Sequence, residues 1–199
     1  MRKTILIAAL MAALGPLVLP GSSATSETTG LTGSSGTPAA TRSSETTEST
    51  GLPAARSIQA RDILPPEGLV ASSVAVLRDQ AALDAHYYLA DEDILGLGRT
   101  TDAVFARYRA GTGDALLLIA AYPDAAEAGR IYKQFGEDFF SGAFDPARDR
   151  FIEKIETDDW AGASRKGAVL IVVLESPDRA ACDGLLRRAE DRVPAPKAK

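Results

Sequence analysis

The sequence predicts an α+β fold. The expected form is a mainly antiparallel sheet with helices on one face, built from two strand-strand-helix units after an N-terminal helix. Three observations carry that expectation. One pattern occurs twice at an offset of 54 residues: Ala115-Leu116-Leu117-Leu118-Ile119-Ala120-Ala121-Tyr122 and Val169-Leu170-Ile171-Val172-Val173-Leu174-Glu175-Ser176. Each run passes through a Pro-Asp step, at Pro123-Asp124 and Pro177-Asp178, into an amphipathic stretch. Each is short and almost wholly apolar, as a buried strand is. A Gly-containing turn precedes each run, at Ala110-Gly111-Thr112-Gly113 and Arg165-Lys166-Gly167, so each returns antiparallel on the segment before it.

The chain has 199 residues, 45% hydrophobic and 25% charged, which leaves room for one domain and a tail. Arg2 and Lys3 precede an apolar stretch from Thr4 to Leu14, broken by Gly15-Pro16, and Ser22-Ser23-Ala24 supplies small residues where a signal peptidase reads. Residues 1–24 read as a signal peptide cleaved after Ala24, with an uncleaved anchor helix as the alternative. Losing Arg2 and Lys3 takes the formal charge from −5 to −7. So acidic a chain, with scattered Lys and Arg, does not fit nucleic acid. No second apolar run is long enough to span a bilayer, so the mature chain is expected to carry no transmembrane span. Residues 25–56 are rich in Ser, Thr, Gly and Glu with no apolar period, and read as a disordered tether open to O-glycosylation. Residues 57–193 form the single α+β domain and 194–199 a tail. The expected location is periplasmic or extracellular.

Within the domain, Ile63-Leu64-Pro65-Pro66-Glu67-Gly68-Leu69 is an irregular opening segment and Val74 to Leu77 a short strand. Asp79 to Ala90 has helical spacing, with Ala82, Ala85, His86 and Leu89 on one face. Asp102 to Arg109 alternates as a strand does, and Ala115 to Ala121 returns beside it. The following helix begins at Pro123, where a missing N–H costs nothing, and buries Ala128, Ile131, Tyr132 and Phe135. Gly129 costs about 1 kcal/mol of helix propensity against Ala, so it is expected to admit a close neighbour. Phe139-Phe140 tuck under the domain. Arg150 to Thr157 is a strand, Trp160 to Ser164 continues the pairing, and Ala168 to Leu174 is the second buried strand. Ser176 is the expected N-cap of the last helix, with Pro177 at its first position and Cys182, Leu185, Leu186 and Ala189 as its stripe.

Pro66-Glu67-Gly68, then Tyr87-Tyr88-Leu89, then Arg107-Tyr108-Arg109, then a hydrophobic strand into Asp124-Ala125-Ala126-Glu127-Ala128-Gly129-Arg130-Ile131-Tyr132 resembles an uncharacterised exported bacterial α+β domain family, a domain of unknown function. The resemblance covers about residues 63–190. It implies an exported α+β domain and brings no catalytic residues. The Asn-Gly that the family carries after the aromatic segment is absent here.

The residues themselves offer little chemistry. Cys182 is the only cysteine, so no intrachain disulfide forms, and its place among Ala181, Leu185 and Leu186 reads as buried packing. His86 is the only histidine and reads as a core or half-buried ring rather than a base. Gly96-Leu97-Gly98-Arg99-Thr100 reads as a turn, with none of the rest of a nucleotide fingerprint. Two acidic clusters stand out: Asp91-Glu92-Asp93, and Asp158-Asp159 with Glu153 and Glu156. Neither has calcium-loop spacing, so both read as surface charge. No catalytic residue, metal or cofactor is expected. Tyr87, Tyr88, Tyr108, Tyr132 and Trp160 are the candidate ligand-binding residues, since such rings combine apolar area with a polar tip. The expected function is a non-enzymatic binding or interaction domain for an unknown envelope protein or small ligand. The alternative, a carboxylate-dependent hydrolase, requires the two acidic clusters to meet in one cleft.

Overall fold

The computed structural model describes residues 58–195, apart from 91, 141, 143 and 156. The expected signal peptide, the tether and positions 196–199 of the tail lie outside the described residues. In chain order come β1 (Ala75–Leu77), α1 (Gln80–Asp84), β2 (Asp102–Ala110), β3 (Gly113–Ala121), α2 (Ala125–Phe139), β4 (Arg150–Lys154), β5 (Trp160–Lys166), β6 (Val169–Glu175) and α3 (Arg179–Arg192). Two 3-10 turns, Ala60–Ile63 and Ala71–Ser73, precede β1.

The strands form one antiparallel sheet in the order β1-β2-β3-β6-β5-β4. The two apolar runs are the central pair, with Ile119 opposite Ile171 and Ala121 opposite Val169. Continuous apolarity follows from that position, because both faces of both strands are covered. Gly111 and Gly167 take positive φ in the two tight turns that return β2 into β3 and β5 into β6.

The α+β class and the antiparallel sheet agree with the sequence, but the helices do not share a face. Alternate residues of a strand point to opposite sides. Leu118, Ala120, Leu170, Val172 and Leu174 pack with Ala128, Ile131, Tyr132 and Phe135 of α2, on what we call face A. Leu117, Ile119, Val169, Ile171 and Val173 pack with Cys182, Leu185, Leu186 and Ala189 of α3, on face B. The sheet is therefore the middle of three layers. Ile63 and Leu64 complete face B, and Leu83, Leu89 and Leu95 complete face A.

A β-bulge separates the two outcomes. Leu116 pairs with Glu175 and Leu117 with Val173, so Leu174 is an extra residue on β6. Simple alternation would point Glu175 to face B. The bulge turns it to face A beside its partner Leu116, and the next residue, Ser176, leaves toward face B. β3 has no such step before its exit: Tyr122 is buried on face A, and α2 follows onto the same side.

Three further details differ from expectation. The caps are Asp124 and Asp178, not Ser176. Asp124 Oδ1 accepts from the Ala126 and Glu127 N–H groups at 2.9 Å, and Asp178 Oδ1 from the Ala181 N–H at 2.7 Å. Both prolines therefore precede the cap. The N-terminal helix stops at Asp84, because the chain must turn to send Tyr87 under the sheet while His86 stacks on Phe105, 5.7 Å between ring centroids. Finally, the second unit has three strands, since the turn at Asp158 (φ 69) divides β4 from β5.

Candidate functional site

Polar side chains converge where the β5–β6 turn stands beside the start of α2 and the end of α3. Gly162, Ser164 and Lys166 share face B of β5, and Ala161, Ala163 and Arg165 share face A. On face B, Arg150 donates through Nη1 to Asp183 Oδ1 at 3.0 Å and through Nε to Glu190 Oε1 at 2.9 Å, while Nη2 meets Glu190 Oε2. Ser164, only 2% exposed, donates its hydroxyl to the same carboxylate. Lys166 Nζ donates to the Glu190 carbonyl oxygen at 2.7 Å. The bond to Glu190 is the main reason the Arg150 guanidinium is held above its ordinary range.

On face A, Arg165 Nη2 donates to Asp149 Oδ1 at 2.6 Å, and its guanidinium lies 5.8 Å from the centre of the Tyr132 ring. Gly129 makes room for it: a Cβ there would stand 2.7 Å from Arg165 Nη1. The sequence expectation of a close neighbour at Gly129 is met by this arginine. Two adjoining hollows of about 370 and 330 Å³ open around these groups. Both are lined by Asp149, Arg165 and Lys166; the first reaches Ser164 and Glu190, the second Ala125 and Gly167. The set fixes charge in place. The Ser164 hydroxyl is enclosed, and the carboxylate that accepts from it is shared with Arg150.

The five aromatic candidates do not form one groove. Tyr87 and Tyr132 belong to face A, Tyr108 and Trp160 to face B, and Tyr88 is 37% exposed. Tyr132 is fully enclosed, donates to the Arg148 carbonyl at 2.8 Å, and has its phenol pushed up to about 12, by burial first and the Asp149 charge second. Tyr108 donates to the Pro65 carbonyl at 2.9 Å, and burial raises its phenol also. Their polar tips are spent on the backbone. Trp160 packs at the edge of face B under Arg179, 5.7 Å from its ring centre.

Among the described residues of the two acidic clusters, Asp93 and Asp159 lie at opposite ends of the central strands. Asp93 accepts from the Leu95 and Leu97 N–H groups and acts on Tyr122, just past the end of β3. Asp159 acts on Glu175, at the far end of β6. Asp93 and Asp159 therefore share no cleft. His86 is exposed instead of enclosed, stacked on Phe105. Cys182 is fully buried, and burial pushes its thiol up to about 12. Among the described residues no group of three or more His, Cys, Asp and Glu side chains could hold a metal ion, and no helix is long and apolar enough to cross a membrane.

Sequence reasoning passed over Arg150, Ser164, Arg165, Lys166 and Glu190. Arg150 and Glu190 are 40 residues apart, so nothing local links them. Ser164 offered a signal. It is the polar residue on the otherwise inward-facing stretch Ala161 to Ser164, and a buried hydroxyl demands a partner. Comparison of the chain with protein-family models, curated proteins and solved structures finds no match.

Proposed function

We propose that the chain is an exported, non-enzymatic interaction domain of a bacterial cell envelope, which the segment 25–56 holds away from its point of export. The leader-like residues 1–24 and the resemblance to an exported bacterial domain family support the address. The observation that carries the binding reading is the pair of hollows at the β5–β6 turn. They are open and lined by charge. Such a surface suits the polar rim of a protein partner better than a small apolar ligand, which calls for enclosed apolar walls.

Two measurements test this. Residues 1–56 fused to a reporter active only outside the cytoplasm are expected to give activity, and an Arg2→Glu, Lys3→Glu leader is expected to lose it. Crosslinking of the full chain in intact cells is expected to give a discrete adduct with one envelope protein. The paired change Arg165→Glu, Lys166→Glu is expected to remove that adduct without changing the amount of protein. An adduct unaffected by the paired change places the partner elsewhere on the domain.

A further inference from the structure

The structure assigns to Glu175 the role of a proton-operated latch, which fastens the segment following α1 to face A when neutral and releases it when ionised. The bulge at Leu174 turns this carboxyl from face B to face A, against a partner, Leu116, that is apolar. There it meets Tyr87, a residue only 7% exposed. The two side chains are close enough to interact without meeting hydrogen-bond geometry, and Tyr87 Oη and Glu175 Oε1 are both buried without a hydrogen-bond partner. A buried oxygen with no partner is costly, so this corner is the least settled part of an otherwise apolar face.

The groups that bear on Glu175 come from each neighbouring element. The segment after α1 supplies the Tyr87 phenol, the turn before β5 supplies Asp159, and β3 supplies only Leu116. On its own strand, Leu174 is apolar, and the hydroxyl of the next residue, Ser176, donates to the Asp178 carbonyl. Burial raises the Glu175 carboxyl above its ordinary value of 4.5; the Tyr87 hydroxyl pulls it down, and Asp159 adds to the rise. A neutral carboxyl can stay buried against Leu116 without a charge to solvate. An ionised one repels Asp159 in a half-buried site. A carboxyl raised in the folded state adds stability that is whole below the unfolded value of 4.5 and is lost as pH climbs through its folded value. Release uncovers the apolar wall of Phe105, Leu116 and Leu118.

The readout is amide protection of His86 and Tyr87, whose N–H groups both donate to the Leu83 carbonyl at 2.8 Å. Between about pH 4 and pH 8, protection in the full chain is expected to fall about tenfold for each unit by which the carboxyl is raised. Glu175→Gln is expected to hold it constant, and His86→Gln is expected to leave the fall in place. A wild-type profile that is flat, or one that Glu175→Gln reproduces, overturns the latch. Direct NMR titration of the Glu175 carboxyl in the unaltered protein needs no variant, and a midpoint at or below 4.5 overturns it also.

Discussion

The two copies of the strand-Pro-Asp-helix pattern are nearly the same in local grammar and opposite in outcome. Their buried stripes align residue for residue at the offset of 54: Ala128 with Cys182, Ile131 with Leu185, Tyr132 with Leu186, Phe135 with Ala189. Both helices are capped by the Asp of the Pro-Asp step. Yet α2 packs on face A and α3 on face B. The strands before them keep the same parity until Leu174. One extra residue there exchanges the face on which the chain leaves β6. A repeat of local signals therefore does not fix the layer a helix joins; the count of residues between the last sheet pair and the cap does.

The comparison breaks most severely by inserting one alanine between Glu175 and Ser176. The insertion leaves Glu175 opposite Leu116 on face A but adds one step of alternation after it, so the chain leaves β6 toward face A and α3 starts where α2 already lies. Its stripe of Cys182, Leu185, Leu186 and Ala189 would lose its place on the sheet. Each large aliphatic side chain lost from burial costs about 1.5–3 kcal/mol, and domains of this size are stable by only about 5–15 kcal/mol. The expected result is loss of the cooperative thermal transition, followed by circular dichroism. An insertion variant that melts as the wild type does would show that the residue count before the cap does not choose the face.

This also marks what was legible in the sequence. The strands from Asp102 and Ala115, the second apolar run and the stripes of both helices follow from period alone, because burial imposes it. Face assignment was not legible, since a bulge leaves an uninterrupted apolar run looking like any other strand. The end of α1 was missed for a related reason: Ala85, His86 and Leu89 hold helical spacing, while tertiary demands on Tyr87 override it. The charged site was hidden by distance. Nothing local links Arg150 with Asp183 and Glu190 until the fold brings β4 onto α3. The aromatic residues stood out in the sequence because they are large, and Tyr108 and Tyr132 proved to serve the core.

The copies differ most where a helix meets the strand ends. Gly129 and Gly136 of α2 align with Asp183 and Glu190 of α3. The first copy accepts foreign side chains by lacking its own: Arg165 lies on Gly129, and the Phe144 ring fills the place of a Cβ on Gly136. The second copy grips Arg150 with carboxylates. Glu190→Ala strips an acceptor from Arg150 and Ser164 together. A fully buried broken pair costs about 3–5 kcal/mol; here Arg150 and Glu190 keep 29% and 17% of their side chains exposed, so water recovers part of it. We expect a loss of about 2 kcal/mol, read from urea denaturation. Glu190→Gln, which keeps an acceptor, should lose less. Equal losses would mean that packing, not the acceptor, holds α3.

The smallest effect belongs to the other copy. Gly129→Ala improves helix propensity by about 1 kcal/mol, and the new methyl displaces Arg165 Nη1 from its place near Tyr132 and Asp149. The guanidinium is the far end of a flexible side chain, partly exposed, so its displacement costs well under the value of a buried contact. The two terms nearly cancel in the wild-type background. Against Arg165→Ala, where no guanidinium occupies the space, the same substitution is expected to show its full helical gain. A double-mutant cycle over Gly129→Ala and Arg165→Ala therefore isolates the cation on the ring. A coupling of about 0.5–1 kcal/mol is expected; a coupling of zero would mean that Arg165 lies on α2 without holding it.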